Sequence, residues 1–256
     1  MLRPILTASL VIAAASIAHA QAAASEPKPP PIATDRPSVT DSAVVVPPGS
    51  FQAENGLAYT VSHAQRTFDG AETLLRFGVA SKTELRLNAP DYFDGAGTSS
   101  GFSDLAVGMK QQLGPAPGGF DVSLVVSLSL PSGAHAVSTH GYDPSVQLPW
   151  SRALSSNWTA AGMLSVYWPT VNGTRNVTGE TTFLVDRQVT KSWDAFVEYA
   201  GDIAGQGGPR HLAHFGSAYK LTARQQIDLH FGFGLSAAAV DRFVGVGYSF
   251  RLPVRH

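Results

Sequence analysis

The chain has 256 residues, with 18 Lys and Arg against 19 Asp and Glu, no Cys, and 14% charged residues beside 25 Gly and 17 Pro. The near-neutral balance excludes a basic surface for a phosphate backbone, so nucleic acid is not an expected partner. A chain without Cys has no disulfides, thiolate metal sites or Cys nucleophiles, and so few charges, against about 25% in a soluble domain, point to a chain that faces something other than water.

Residues 1–20 read as an export signal. Met1 to Arg3 give a positive start, and Ile5 to Ala18 an apolar run too short to span a bilayer. Ala18-His19-Ala20 places small residues where a signal peptidase reads, so cleavage is expected after Ala20. Residues 21–48 form a Pro-rich periplasmic leader, with Pro27, Pro29, Pro30 and Pro31 favouring an extended tether. Asp35-Arg36-Pro37 follows, and Pro47-Pro48-Gly49 ends the segment. Two readings stay open: a disordered leader, or a plug whose Asp35 and Arg36 fold back into the main domain.

From residue 49 to 256 the hydrophobic period is two, which gathers apolar side chains on one side of a pleat. In 51–61, Phe51, Leu57, Tyr59 and Val61 oppose Gln52, Glu54, Gly56 and Thr60. In 120–130, Phe120, Val122, Leu124, Val126, Leu128 and Leu130 oppose Asp121, Ser123, Ser127 and Ser129. The stretches 102–113, 226–235 and 243–251 alternate in the same way, and the whole divides into about twelve strands. Short turns are expected near 80–81, 114–119, 155–156, 190–191 and 222–223, and longer polar loops over 62–71, 90–101, 131–143, 169–176, 201–211 and 236–241. Tight turns on one rim and excursions on the other are the pattern of an all-β transmembrane antiparallel up-and-down β-barrel of the bacterial outer membrane. Its partners would be outer-membrane lipid and lipopolysaccharide, with the barrel-assembly machinery during insertion.

The tryptophans fit that reading. Trp158 and Trp168 lie ten residues apart, which at roughly 3.3 Å per residue is about 33 Å along a strand. Tilted by about 40°, this becomes about 25 Å, the height of the apolar band. Trp150 and Trp193 fall near short turns, and Tyr59 and Tyr199 near long loops, as two interfacial girdles require.

If one face meets lipid, the other lines the lumen. The candidates are Glu54, Arg76, Arg86, Asp104, Lys110, Asp121, Glu180, Glu198, His214, Lys220, Asp228, His230 and Arg251, with Lys82, Glu84, Asp186 and Asp194 on the same face. Both signs are present, so cross-strand pairs are expected rather than a field of one sign. Gly232, Gly234, Gly245 and Gly247 leave a patch without side chains, which either eases curvature or makes room for an inserted segment. The histidines lack a His-x-x-x-His pair on a helix, and neither a metal site nor a cofactor is expected. No Gly-x-Ser-x-Gly elbow appears, so no catalytic residue is assigned.

Several stretches resemble a family of bacterial outer-membrane proteins labelled as transporters of the phenol meta-cleavage degradation pathway. They are Thr34-Asp35-Arg36-Pro37, Pro47 to Glu54, Gly101 to Lys110, Ala195 to Tyr199, Tyr219-Lys220-Leu221 with Gln226 to Leu229, and Phe243 to Arg251. Their order, more than any one of them, carries the likeness. One departure is at the end, where Leu252 to His256 follow Phe250 although such chains commonly finish on an aromatic residue. The resemblance implies a barrel that passes small molecules, aromatic or hydrophobic ones among them, across the outer membrane. The function expected is therefore a passive channel and not an enzyme. The alternatives are a structural or surface-binding barrel with a plugged lumen, and a lipid-modifying barrel enzyme.

Overall fold

The computed structural model describes residues 30–63, 65–96, 100–204 and 207–254. The signal segment and the cleavage site expected after Ala20 lie outside the described residues.

In chain order the strands are β1 (Ser50–Ser62), β2 (Gln65–Gly70), β3 (Leu74–Ala80), β4 (Thr83–Asn88), β5 (Tyr92–Ala96), β6 (Gly101–Phe102), β7 (Leu105–Gln112), β8 (Phe120–Leu130) and β9 (Asp143–Ala153). They continue as β10 (Trp158–Tyr167), β11 (Thr170–Val171), β12 (Thr174–Arg175), β13 (Thr178–Gln188), β14 (Trp193–Ala204), β15 (Pro209–Thr222), β16 (Gln225–Gly234) and β17 (Arg242–Pro253). Every pairing is between antiparallel neighbours, and β17 pairs with β1 from Ser50↔Pro253 to Val61↔Arg242, which closes the ring. Twelve strands form it: β1, β3, β4, β7, β8, β9, β10 and β13 to β17. Closure removes the free edge that would otherwise leave backbone groups unpaired in hydrocarbon.

The pleat sorts the side chains. Along β16, Ile227, Leu229, Phe231 and Phe233 are exposed on the outside, while Gln226, Asp228 and His230 are buried inside. The apolar exterior and charged interior invert a water-soluble protein, and a lipid-facing wall requires that inversion. At the rim of short turns, Arg187 lies 5.3 Å from the Trp158 ring and Arg152 lies 5.2 Å from the Phe120 ring. These cations cover aromatic faces where the apolar band ends. Trp168 sits just past β10, its amide donating to the Pro144 carbonyl at 3.1 Å.

Three of the expected long loops are shorter than the sequence suggests. Residues 65–70 form β2, which pairs with the upper half of β1, while β3 pairs with the lower half. Within 90–101 lie β5 and the start of β6, paired with each other and with β2. β14 and β15 extend toward each other until only residues 205–208 separate them. In these segments polar residues and Gly interrupt the apolar face, so the period-two contrast of the ring strands is lost. The breaks at 71–73, 89–91 and 103–104 lie side by side, tied by Glu72 N to Gly56 O, Ala89 N to Thr73 O and Ser103 N to Asp91 O at 2.8–3.0 Å.

Candidate functional site

Residues 30–49 have no strand partner, yet they run inside the barrel. Such a segment must find acceptors for its N–H groups and donors for its carbonyls away from bulk water. The wall supplies both, mostly as charged side chains. Glu54 accepts from the amides of Asp35 and Arg36 at 2.8 and 3.0 Å. Glu84 accepts from Val46 N at 2.7 Å, and Glu198 from Val39 N and Thr40 N at 2.9 and 2.7 Å. In return Arg76 donates to the carbonyls of Ala33 and Val44 at 3.2 and 3.0 Å, Lys110 to Ser42 O at 2.8 Å, and Ser123 to Ala43 O at 2.6 Å. Arg251 donates to Pro30 O where the segment enters. Hydrogen bonds to charged groups are each worth about 1.5–3 kcal/mol, so the wall is a mould for this backbone.

The side chains of Asp35 and Arg36 diverge to neighbouring arcs of the ring, Asp35 toward β3, β4 and β7 and Arg36 toward β16, β17 and β1. Asp35 meets three cations from three adjacent strands: Arg76 of β3 at 3.2 Å, Arg86 of β4 at 2.5 Å and Lys110 of β7 at 3.0 Å. Burial alone would raise the Asp35 carboxyl pKa, but Arg76, Lys110 and Arg86 outweigh burial and hold it well below the usual carboxylate range. Asp41 adds a second contact to Arg86 at 3.1 Å. Glu84 and Glu54 complete the cluster through Arg76, at 2.9 and 2.8 Å. Arg76, Lys110, Glu54 and Glu84 have no exposed surface. Removing one partner from such a dry cluster leaves an uncompensated charge, a loss of about 3–5 kcal/mol.

Arg36 is the apex of the inserted segment. It pairs with Glu72 and approaches Asp228 at 3.4 Å. Two glycines make room for it, Gly56 and Gly247; a Cβ at Gly247 would lie 2.6 Å from Arg36 Nε. Either residue with a side chain would collide with the guanidinium.

A second contact line runs through the far wall. Thr40 Oγ1 bonds Glu198 at 2.6 Å, His214 Nδ1 bonds the same carboxylate at 2.7 Å, and His214 Nε2 meets His230 Nδ1 at 3.0 Å. His230 Nε2 faces Arg36 at 3.5 Å. With Arg36 as donor at one end and Glu198 as acceptor at the other, the tautomer that matches every contact carries the proton on Nδ1 of each ring. The relay thus begins and ends on the inserted segment.

The remaining sequence candidates divide by height. Asp228 and His230 are buried beside Arg36, and Arg251 at the entrance. Lys220 pairs with Asp194 at 2.5 Å near the turn rim, and Glu180 accepts from Tyr167 Oη at 3.0 Å nearer the loop rim. Asp121 is half-buried on β8 opposite Ser151. Asp104 stands in the break between β6 and β7, where it accepts from Gly133 N and Thr139 N at 2.8 and 3.1 Å and so ties down the 131–142 loop. Sequence reasoning put Gln52, which donates to Ala33 O at 2.8 Å, on the polar face without counting it among the lumen candidates, and did not name Thr182, 2.6 Å from Thr40 Oγ1. Their inward parity on β1 and β13 was the available signal.

One cavity flanks the inserted segment, and a second opens apart from it among the loops. The first, of about 340 Å³, lies between the segment and the β9–β16 wall, lined by Leu184, Phe196, Ala161, Asp186 and Lys220 among others. The other, of about 510 Å³, lies at the loop rim against Phe93, Asp104 and Val137. Among the described residues, no group of three or more His, Asp or Glu is arranged to hold a metal ion.

No curated sequence matches the chain. Among solved structures, the COG4313 outer membrane channel from Pseudomonas putida F1 is similar with a TM-score of 0.65 at 11% identity, over 82% of this chain and 98% of that one. The NanC porin superposes with a TM-score of 0.57 at 10% identity over 79% of this chain and 100% of that one. The KdgM porin does so with 0.55 at 12% over 78% and 98%. At these identities the likeness shows the fold. Residues 34–252, from the start of the inserted segment's Thr-Asp-Arg to the last strand, match the family described as "Putative MetA-pathway of phenol degradation", and the chain belongs to that family.

Proposed function

We propose that the protein is an outer-membrane channel for the passive passage of small molecules, closed at rest in its turn-rim half by residues 30–49. The observation that carries this is a charged, cavity-bearing lumen inside a wall whose exterior is apolar. Solutes entering from the loop rim would pass the 510 Å³ cavity there and, deeper in the lumen, meet Arg36, which pairs with Glu72. Passage needs the segment to move, after which diffusion follows the far wall. The solute class suggested by the family is small aromatic or hydrophobic molecules. The turn rim would face the periplasm and the loop rim the lipopolysaccharide leaflet, after export through a cleaved signal and insertion by the barrel-assembly machinery. The protein is read as a channel and not an enzyme.

A plugged structural or surface-binding barrel is the second reading, favoured by the completeness with which the wall satisfies the segment. Planar bilayers separate the two. The channel gives discrete conductance steps in the full-length protein, and deleting residues 21–48 enlarges them. A bilayer that stays silent for the full chain and for the deletion sinks the channel reading. Unchanged conductance on deletion sinks the plug.

A further inference from the structure

The contacts of Asp35 form a carboxylate-binding site that the chain fills with its own side chain. Its two oxygens take Arg86 Nη1 at 2.5 Å, Lys110 Nζ at 3.0 and 3.1 Å, Arg76 Nη1 at 3.2 Å and the Ser42 amide at 2.9 Å. All but the last come from the wall, and they converge from three neighbouring strands. The wall here carries three cations, Arg76, Arg86 and Lys110, against two carboxylates, Glu54 and Glu84, so by itself it holds one surplus positive charge, which the segment meets with Asp35 and with Asp41, 3.1 Å from Arg86 and 3.8 Å from Lys110. A surplus buried charge is tolerated only with an anion beside it.

We propose that this cradle is the solute site of the channel, and that its ligand class is a small organic monocarboxylate with an apolar body. Asp35 is then a tethered competitor. The solute carboxylate takes over Arg86, Lys110 and Arg76, the segment from Asp35 to Val46 lifts off, and the apolar body extends across the space so opened toward the 340 Å³ cavity beside Leu184 and Phe196. A tether of this kind acts as an effective concentration in the millimolar range, so free carboxylates open the site only when abundant. The inference rests on the channel reading for its purpose, but its test is an equilibrium measurement in detergent that needs no conduction.

The chain has no Cys, so Val45→Cys places a single spin label on the inserted segment. Millimolar benzoate should mobilise the label, whereas benzyl alcohol and chloride at equal concentration should not. Calorimetry on detergent-solubilised Asp35→Ala should show benzoate binding about ten-fold tighter than to the unmodified chain, and adding Arg86→Gln should abolish the gain. Equal response to benzoate and chloride would reduce the effect to screening and overturn the proposal, as would equal response to benzoate and benzyl alcohol. Should Asp35→Ala fail to fold, the label experiment on the otherwise unaltered chain still decides. A silent bilayer with intact benzoate binding would sink the channel reading alone; a conducting bilayer without benzoate binding would sink this one alone.

Discussion

The two walls of the lumen hold the same inserted segment in different ways. On the side of β1, β3, β4 and β7, dry ion pairs grip Asp35, and Glu54 and Glu84 take backbone amides directly. On the side of β9 to β16, contact is made through Glu198, the histidine relay and Thr182, and a cavity of about 340 Å³ is left between. One wall is an anchor, the other a loosely filled passage. A plug gripped on one side and loosely packed on the other has space to move into once the grip is released, because the cavity beside it already exists.

The largest effect should come from removing the segment altogether. Deleting residues 21–48 is expected to raise single-channel conductance several-fold, read in planar bilayers at fixed salt. Next, Arg86→Gln strips the anchor of its closest contact to Asp35. It should cost about 3–5 kcal/mol of docking, seen as a mobile label at Val45→Cys and a lower temperature for the heat-dependent gel shift. Glu198→Gln on the opposite wall keeps the shape but weakens the acceptor of Val39 N and Thr40 N. A smaller loss of about 1.5–3 kcal/mol is expected, with the same label loosening less than in Arg86→Gln. If the two variants loosen it equally, the anchor and passage distinction fails. Smallest for docking should be Ala161→Trp, which fills the far cavity without touching an anchor residue. The label should stay immobile while the conductance of the 21–48 deletion falls.

Much of this architecture could be read from residues in isolation. β8 shows why: Val122, Leu124, Val126 and Leu128 share the outward face, their alternation with Ser123, Ser127 and Ser129 interrupted at Val125, which is buried inside, and the number of such stretches gives the twelve-stranded ring. β2 shows the limit. Gln65-Arg66-Thr67-Phe68-Asp69-Gly70 has one large apolar residue and so no periodic face to read, although it pairs with β1 and β5. Within the lumen, inward parity marks Glu54, Glu84 and Glu198 as polar positions, but not their partners. Each spends its oxygens partly on amides of residues 35–46, and which amide meets which carboxylate follows only from closing the ring around the segment. Gly247 is similar: a missing side chain is visible in the sequence, but not the guanidinium that fills the gap.

The pairing of β1 with β17 is where the ring closes, and the inserted segment touches both sides of it: Gln52 and Glu54 on β1, Arg251 on β17, Gln226 on β16. The segment therefore works as an internal staple across the only junction joining chain start to chain end. Docking and junction pairing are linked equilibria: whatever frays one weakens the other, and a half-zipped ring offers the staple no purchase. Opening the gate and keeping the cylinder shut draw on the same contacts, so the swing that admits a solute must stop short of releasing Gly49, whose amide and carbonyl still clasp Gly78 and Val254 at the base.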